Sequence, residues 1–153
     1  KQEDNFALNK PEAIGNMIGK TFDILGFAGG IIGSFSILVG GFGIANIMFV
    51  SVRERTNIIG IQKSLGAKNY FILFQFLFES VFLSLIGGVI GIGFVYVVSE
   101  ILPLFVDLGA FNFAMTVQNV VVGLSISCAV GVLSGLVPAA MAARLDPVVA
   151  IRS

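Results

Sequence analysis

The chain has 153 residues, of which 56% are hydrophobic and only 12% are charged, whereas soluble domains carry about 25% charged residues. This composition predicts a membrane protein, and the formal net charge of zero gives no electrostatic indication of nucleic-acid binding. The sequence has no histidine and a single cysteine, Cys128, which excludes an intrachain disulfide and a zinc site of the Cys/His type.

The N-terminal segment, residues 1–22, predicts the end of an upstream domain followed by a helix. Residues 1–8 are polar and then briefly alternating, like the end of a strand, and Asn9 with Pro11 forms a favourable helix start. Apolar residues at helical spacing then run into the first long apolar segment: Ile14, Met17, Ile18, Phe22 and Leu25. We expect one long helix with an amphipathic outer portion, which is either a dedicated stalk or an ordinary interfacial helix.

Three apolar runs follow, and each is long enough to cross a bilayer. Residues 24–52 and 108–143 carry no charge, and residues 69–99 carry only Glu79. A hydrocarbon core of about 30 Å needs about 20 apolar residues per helix. The sequence therefore predicts an all-α membrane protein with three transmembrane helices at about 24–52, 69–99 and 116–143.

Glycines recur at intervals of four within these runs. Helices in lipid associate through close backbone contact, which small residues four apart permit. The repeats predict a tightly packed helix bundle that also dimerises, and they assign helix packing to Gly26, Gly29, Gly30, Gly33, Gly87, Gly91, Gly131 and Gly135.

The polar segment 51–68, between the first two runs, is rich in basic residues. Ser51 and Glu54 have the spacing of a capping box, and Gly66 stands where a helix C-terminal glycine would. Between them Ile58, Ile61 and Leu65 fall on one helical face. The pattern predicts a short amphipathic helix on the inner membrane surface, which either anchors to lipid headgroups or docks a protein partner.

Glu79 is the one ionisable residue at depth in these runs, since it follows Lys68 by about 16 Å of helix. Intramembrane acids are costly and are functional candidates by default. Transport of protons usually needs more than one polar partner, so the sequence favours a structural role: a hydrogen bond to a neighbouring span, to a serine or to Gln75, or protonation in place.

The placement of Lys and Arg predicts the orientation. The 51–68 segment holds four bases and one acid, the tail adds Arg144 and Arg152, and residues 100–107 hold two acids and no base. Because cytoplasmic loops are enriched in Lys and Arg, we expect the N-terminus outside and the C-terminus inside. A polar N-terminus outside implies an upstream segment with at least one further span.

Several blocks of the sequence resemble FtsX-like ABC permeases of the MacB type. They are SVRERTNIIGIQKSLGAK with the following FQFLFESVFLSLIGG, the preceding GGFGIANIMFV, and the closing GLVPAAMAARLDPVVAIRS. Together they extend from about Phe22 to Ser153 in the family's order and spacing. Such permeases have four spans, with a large periplasmic domain between the first and the other three. This chain is similar to the last three, with residues 23–153 as the transmembrane domain and residues 1–22 as the end of the periplasmic domain and the stalk.

The resemblance implies a non-enzymatic permease that works as a dimer in the bacterial inner membrane. A cytoplasmic ABC ATPase, fused or separate, would bind and hydrolyse ATP, while the permease itself binds no cofactor. Movement would pass to the outer domains through the stalk by mechanotransmission, and a periplasmic adaptor or external protein is a further candidate partner. The ATPase-coupling residues would be Arg53, Glu54, Arg55, Ile58, Ile59, Gly60, Ile61, Leu65 and Gly66.

Two other functions stay open at this point. A permease of this kind can gate an external hydrolase or sensor and transport nothing. A secondary transporter or channel subunit is the third alternative, and it requires a polar path for which only Glu79 and Gln75 are available.

Overall fold

The computed structural model describes the backbone of residues 4–105 and 115–146, and the side chains of residues 14–102 and 115–146. Within these ranges the chain forms four helices and no strand: α1 (Asp4–Glu54), α2 (Thr56–Ser64), α3 (Asn69–Phe105) and α4 (Val117–Arg144). Three stretches are long and apolar enough to cross a membrane, namely Ile14–Glu54, Asn69–Leu102 and Val117–Arg144. The predicted all-α membrane fold with a short helix between the first two spans is thus confirmed.

Two predicted details of α1 are wrong. The helix begins at Asp4, not at Asn9, and residues 4–8 are helical rather than strand-like. Extending an existing helix needs no new nucleus, so a short alternating stretch joined to a long helix continues it. The expectation for residues 1–3 lies outside the described residues.

The other wrong detail is the capping box. Ser51 lies inside α1, and its carbonyl accepts a hydrogen bond from the amide of Arg55 at 3.1 Å. The helix continues here because Val52 is buried in the core, and helical backbone keeps its amides paired as it enters that core.

The chain divides into two compact units, Lys1–Val39 and Gly40–Ser153, and the division falls within α1. In the first unit the described large apolar side chains are exposed, among them Ile24, Phe27 and Phe35. The second unit contains the end of α1 together with α2, α3 and α4.

The core of the second unit forms where all four helices contribute. Its largest fully buried side chains include Met48 from α1, Ile59 from α2 and Phe76 from α3. The helix α4 adds small residues, since the cluster of buried residues comprises Met48, Val52, Ile59, Ile72, Phe76, Ala139, Ala142 and Ala143. Small residues on α4 let larger ones from the other helices fill the space between backbones.

The helices α3 and α4 pack through residues spaced four apart on both helices, and these residues are small except for one isoleucine of α3. On α4 these are Gly123, Ser127, Gly131 and Gly135, and they meet Ile92, Gly88, Ser84 and Ser80 of α3 in that order. Each step of four residues along α4 is matched by a step of four back along α3, which is the register of an antiparallel pair. We call this surface the α3–α4 interface.

Close approach at this interface leaves no room for larger side chains. A Cβ added at Gly131 would lie 2.8 Å from the Cα of Val81 and 2.9 Å from the Cβ of Ser84. A Cβ at Gly135 would overlap the side chain of Ser80. The Ser84 hydroxyl also donates a hydrogen bond to the Ser127 carbonyl oxygen at 2.5 Å, which joins the two helices by a polar contact.

Candidate coupling site

The helix α2 follows α1 after a break of one residue, Arg55. The Thr56 hydroxyl donates to the carbonyl oxygens of Val52 at 3.0 Å and Arg53 at 2.8 Å. These are carbonyls at the end of α1, where the helix no longer supplies its own donors. The hydroxyl of Thr56 therefore stabilises the break between the two helices.

Gly66 ends α2, as the sequence predicted. Its φ of +97° lies in the left-handed region that favours glycine. The Gly66 amide donates to Lys63 O and the Ala67 amide donates to Gln62 O, both at 3.0 Å. These two bonds form a Schellman motif, which stops the helix and turns the chain toward α3.

The two faces of α2 have different surroundings. Ile59 is only 1% exposed and Gly60 is buried beside it. By contrast Ile58, Ile61 and Leu65 are 54%, 49% and 84% exposed. The apolar face expected from the sequence is thus uncovered in the single chain, whereas Ile59 and Gly60, grouped with it by the family resemblance, hold α2 onto the rest of the unit.

Glu79 has an ionic partner. Its Oε2 lies 3.3 Å from Nη1 of Arg55, with the glutamate side chain 30% exposed and the arginine 48% exposed. This arrangement differs from the serine, Gln75 or neighbouring-span contact that the sequence favoured. The arginine comes from the turn between α1 and α2, which lies 24 residues away along the chain, so the spacing within α3 contained no sign of it.

Lys63 contacts the end of α4. Its Nζ donates to the carbonyl oxygens of Ala143 and Leu145, both at 2.7 Å. The last carbonyls of a helix lack partners within the helix and attract cations, so Lys63 serves as a side-chain cap supplied from another helix. Sequence reasoning grouped Lys63 with the bases of the polar segment, and no local pattern indicated this contact.

Arg53 and Glu54 are exposed at the end of α1. Glu54 lines a shallow groove with Asn46, Ile47, Val50 and Ser51. Within the described part of the chain neither Arg53 nor Glu54 forms an ion pair. These two charges are therefore accessible to a partner or to lipid headgroups.

The glycines assigned to helix packing fall into two groups. Gly131 and Gly135 lie against α3, as described above. The others have no atom within 4 Å of an added Cβ: Gly26, Gly29, Gly30, Gly33, Gly87 and Gly91. Contacts also form at Gly41, whose place in the glycine-rich first span the sequence indicated, and at Gly88 and Gly123, which the sequence reasoning did not assign; Gly41 and Gly88 lie against serines and Gly123 lies against Ile92.

Across the described residues no group of three or more Cys, Asp or Glu side chains converges into a metal site. In this region the end of α1 and α2 present a charged and apolar surface, and α2 is held against α3 and α4 by the contacts described above.

Comparison with known proteins identifies the family. Residues 30–147 match the family model of the FtsX-like permease C-terminal domain. The chain belongs to the FtsX-like permease family. It is 44% identical over 98% of its length to a protein of Bacillus subtilis (strain 168) named an uncharacterized ABC transporter permease, YknZ.

Two relatives whose names contain the word export have similar sequence identities to this chain. A pyoverdine export ATP-binding/permease protein of Pseudomonas fluorescens (strain Pf-5) is 42% identical over 97% of this chain. A macrolide export ATP-binding/permease protein of Shewanella (strain W3-18-1) is 40% identical over 97% of it. This FtsX-like permease chain spans 37% of the length of YknZ and 22% and 23% of the other two. The family match and the three candidate spans together identify a multi-pass membrane protein of an ABC transporter permease family.

Proposed function

We propose that this chain is the membrane-spanning permease part of an ABC exporter and that it couples ATP hydrolysis by a cytoplasmic ATPase to conformational change outside the membrane. The observation that carries the proposal is the division of α2 into a buried face at Ile59 and an exposed apolar face at Ile58, Ile61 and Leu65. A helix seated in this way offers a groove-binding surface to a partner. The names of the relatives, which combine ATP-binding with permease, support an ATPase as that partner.

In this proposal a second copy of the permease completes the transporter, and the ATPase supplies ATP binding while the permease binds no cofactor. Movement of α2 passes to the spans and through α1 to the outside. A permease that gates an external enzyme without transport would use the same inner machinery. For the channel or secondary-transporter alternative, a polar path would have to include Glu79, and its ion pair with Arg55 makes that group less available.

Glu54→Lys tests ATPase docking against lipid anchoring. On a headgroup anchor an added positive charge is harmless or mildly favourable. At a protein docking surface it removes an exposed acceptor, so we expect ATPase binding and stimulated ATP turnover to fall at least about tenfold, or about 1.4 kcal/mol. The measurement is co-purification and ATP turnover of the full-length permease with its ATPase in membranes.

Glu100→Lys is the matched control, because Glu100 is an exposed glutamate near the C-terminal end of α3, whereas α2 precedes the N-terminal end of that helix. Both variants must insert to the level of the unaltered protein. Turnover that stays undiminished in Glu54→Lys would contradict docking and favour the headgroup anchor.

The proposed orientation places α2 inside the cell and the N-terminus outside, in the bacterial inner membrane. The support is the base-rich 51–68 segment opposite the acidic 100–107 segment. With Cys128→Ala as background, a cysteine at the exposed Asn57 is expected to react with a membrane-impermeant thiol reagent only after the cells are opened. Labelling of Asn57→Cys in intact cells would contradict this orientation and place α2 outside the cell.

A further inference from the structure

Three residues at intervals of four hold α2 against the rest of the second unit. Arg55 pairs with Glu79 of α3, Ile59 is buried in the core, and Lys63 donates to the last carbonyls of α4. Residues four apart lie on one helical face, so these three, here called the α2 anchor residues, form one stripe. The exposed residues Ile58, Ile61 and Leu65 lie off that stripe.

The two polar anchors lie at opposite ends of α2 and reach different helices. At 1.5 Å per residue, Arg55 and Lys63 are about 12 Å apart along the helix. The first contact is to the side chain of a residue in α3, and the second is to main-chain oxygens of α4. A rotation or shift of α2 therefore acts on α3 at one end and on α4 at the other.

We propose that Arg55 and Lys63 are positioning residues that divide the movement of α2 between two spans, with the Arg55–Glu79 pair driving α3 and the Lys63 cap driving α4. The transmission role rests on the proposed function, since it presupposes a partner that moves α2. The attachment itself does not depend on that partner. In this proposal Glu79 is the residue of α3 on which movement of α2 acts, through Arg55.

The polar anchors are suited to this role because each resists sliding. The buried apolar contact of Ile59 is non-directional, so alone it holds α2 down without fixing its position along the other helices. A charge-assisted bond has a preferred distance and geometry. Two of them at the two ends fix both the position and the rotation of α2, and the α3–α4 interface then carries movement outward along closely packed backbones.

The first experiment tests attachment without any ATPase. In the full-length permease in nanodiscs, Arg55→Glu is expected to raise amide hydrogen exchange at the α2 end nearest Arg55 by about two- to fivefold, the range for loss of a partly exposed ion pair. The double variant Arg55→Glu/Glu79→Arg is expected to restore protection, since the pair is re-formed with reversed charges. Lys68→Glu is the matched control, because Lys68 is an exposed base beyond the end of α2 and its Nζ lies 5.9 Å from the centroid of the Tyr70 ring.

Lys63 calls for a different set of variants, because its acceptors are main-chain oxygens. Lys63→Met keeps the length of the side chain and removes the charge, and it is expected to raise exchange at the Ser64 end of α2. Lys63→Arg retains a charged donor and is expected to retain most of the protection. Equal exchange in Arg55→Glu, Lys63→Met and the unaltered protein would overturn the anchoring.

The second experiment tests transmission, with the ATPase bound. In the Cys128→Ala background, single cysteines at the exposed Ile101 of α3 and Val117 of α4 report the nucleotide-induced change in thiol reaction rate. Arg55→Glu is expected to abolish the change at position 101 and keep that at 117, and Lys63→Met to do the opposite. The reversed-charge pair is expected to regain the response at 101.

The outcomes separate the two proposals. If the unaltered permease binds no ATPase, the proposed function fails, and with it the transmission role, while the exchange experiment alone decides the anchoring. If the ATPase binds and both reporters respond normally in Arg55→Glu and Lys63→Met, the division of movement is overturned although the proposed function stands.

Discussion

Two glycine-rich surfaces in this permease have the same spacing and opposite surroundings. Gly131 and Gly135 of α4 lie directly against Ser80, Val81 and Ser84. In the first unit Gly26 and Gly30 are also four apart, and with Ser34 they line an open groove on α1, where an added Cβ at either glycine meets nothing within 4 Å. Small residues four apart therefore specify that a helix can be approached closely, not which helix approaches it.

The difference depends on the facing helix. Along the α3–α4 interface the small residues of α4 face Ser80, Ser84 and Gly88, which are themselves four apart. A complementary pattern within the same chain completes that contact. The glycines of residues 26–33 have none among the described residues of their own unit, and we predict that a second copy of the chain covers them.

The largest expected effect is at Gly131. Because the Cβ of Gly131→Ala would approach the backbone of Val81, the two helices must separate, and we expect a loss of about 1–3 kcal/mol in unfolding free energy. Equilibrium unfolding in mixed micelles measures it. Gly87→Ala is the matched control, because Gly87 lies on α3 with nothing near its added Cβ. Equal stability of both variants would mean that the α3–α4 interface does not depend on close contact.

The next effect concerns assembly rather than the stability of one chain. Gly29→Leu or Gly33→Leu is expected to weaken dimerisation by about tenfold or more, about 1.4 kcal/mol, because leucine at a backbone contact forces helices apart. Native mass measurement or crosslinking of the full-length permease quantifies the dimer.

Leu38→Ala serves as the comparison for that experiment, since Leu38 lies on the same helix and is 57% exposed. It removes a side chain instead of adding one and is expected to disturb the dimer less. An unchanged dimer in both glycine variants would show that this surface has no closely packed partner. The glycines of α4 would then contact a neighbouring helix, whereas those of residues 26–33 would contact none.

The smallest expected effect is at Ser84. Ser84→Ala removes the hydrogen bond to the Ser127 carbonyl, and interhelical bonds of this kind in membranes average about 0.6 kcal/mol. Ser125→Ala is the control, because the Ser125 hydroxyl bonds within α4 to Val121 O and is exposed. Unfolding of the two variants in the same micelles should separate them by about that amount, and no separation would assign the interface to packing alone.

Sequence patterns predicted local features well where one segment contains the whole physical cause. The three spans follow from apolar length, and the end of α2 follows from Gly66, whose positive φ the structure confirms. The start of α1 and the capping box at Ser51 were wrong for a related reason: caps compete with continuation of the helix, and burial of Val52 favours continuation. Local signals for helix ends are weak where neighbouring helices supply the deciding contacts.

What the sequence determined by itself is the class of protein, its three spans, the amphipathic helix between the first two and the family to which the chain belongs. Those features depend on composition and on patterns within single segments. Only the tertiary structure decided that Arg55 pairs with Glu79 and that Lys63 caps α4. These contacts join residues 24 to 82 positions apart, and ionic and hydrogen-bonding side chains have no period that would indicate a partner at such a distance. The packing of α3 and α4 places the partners within reach.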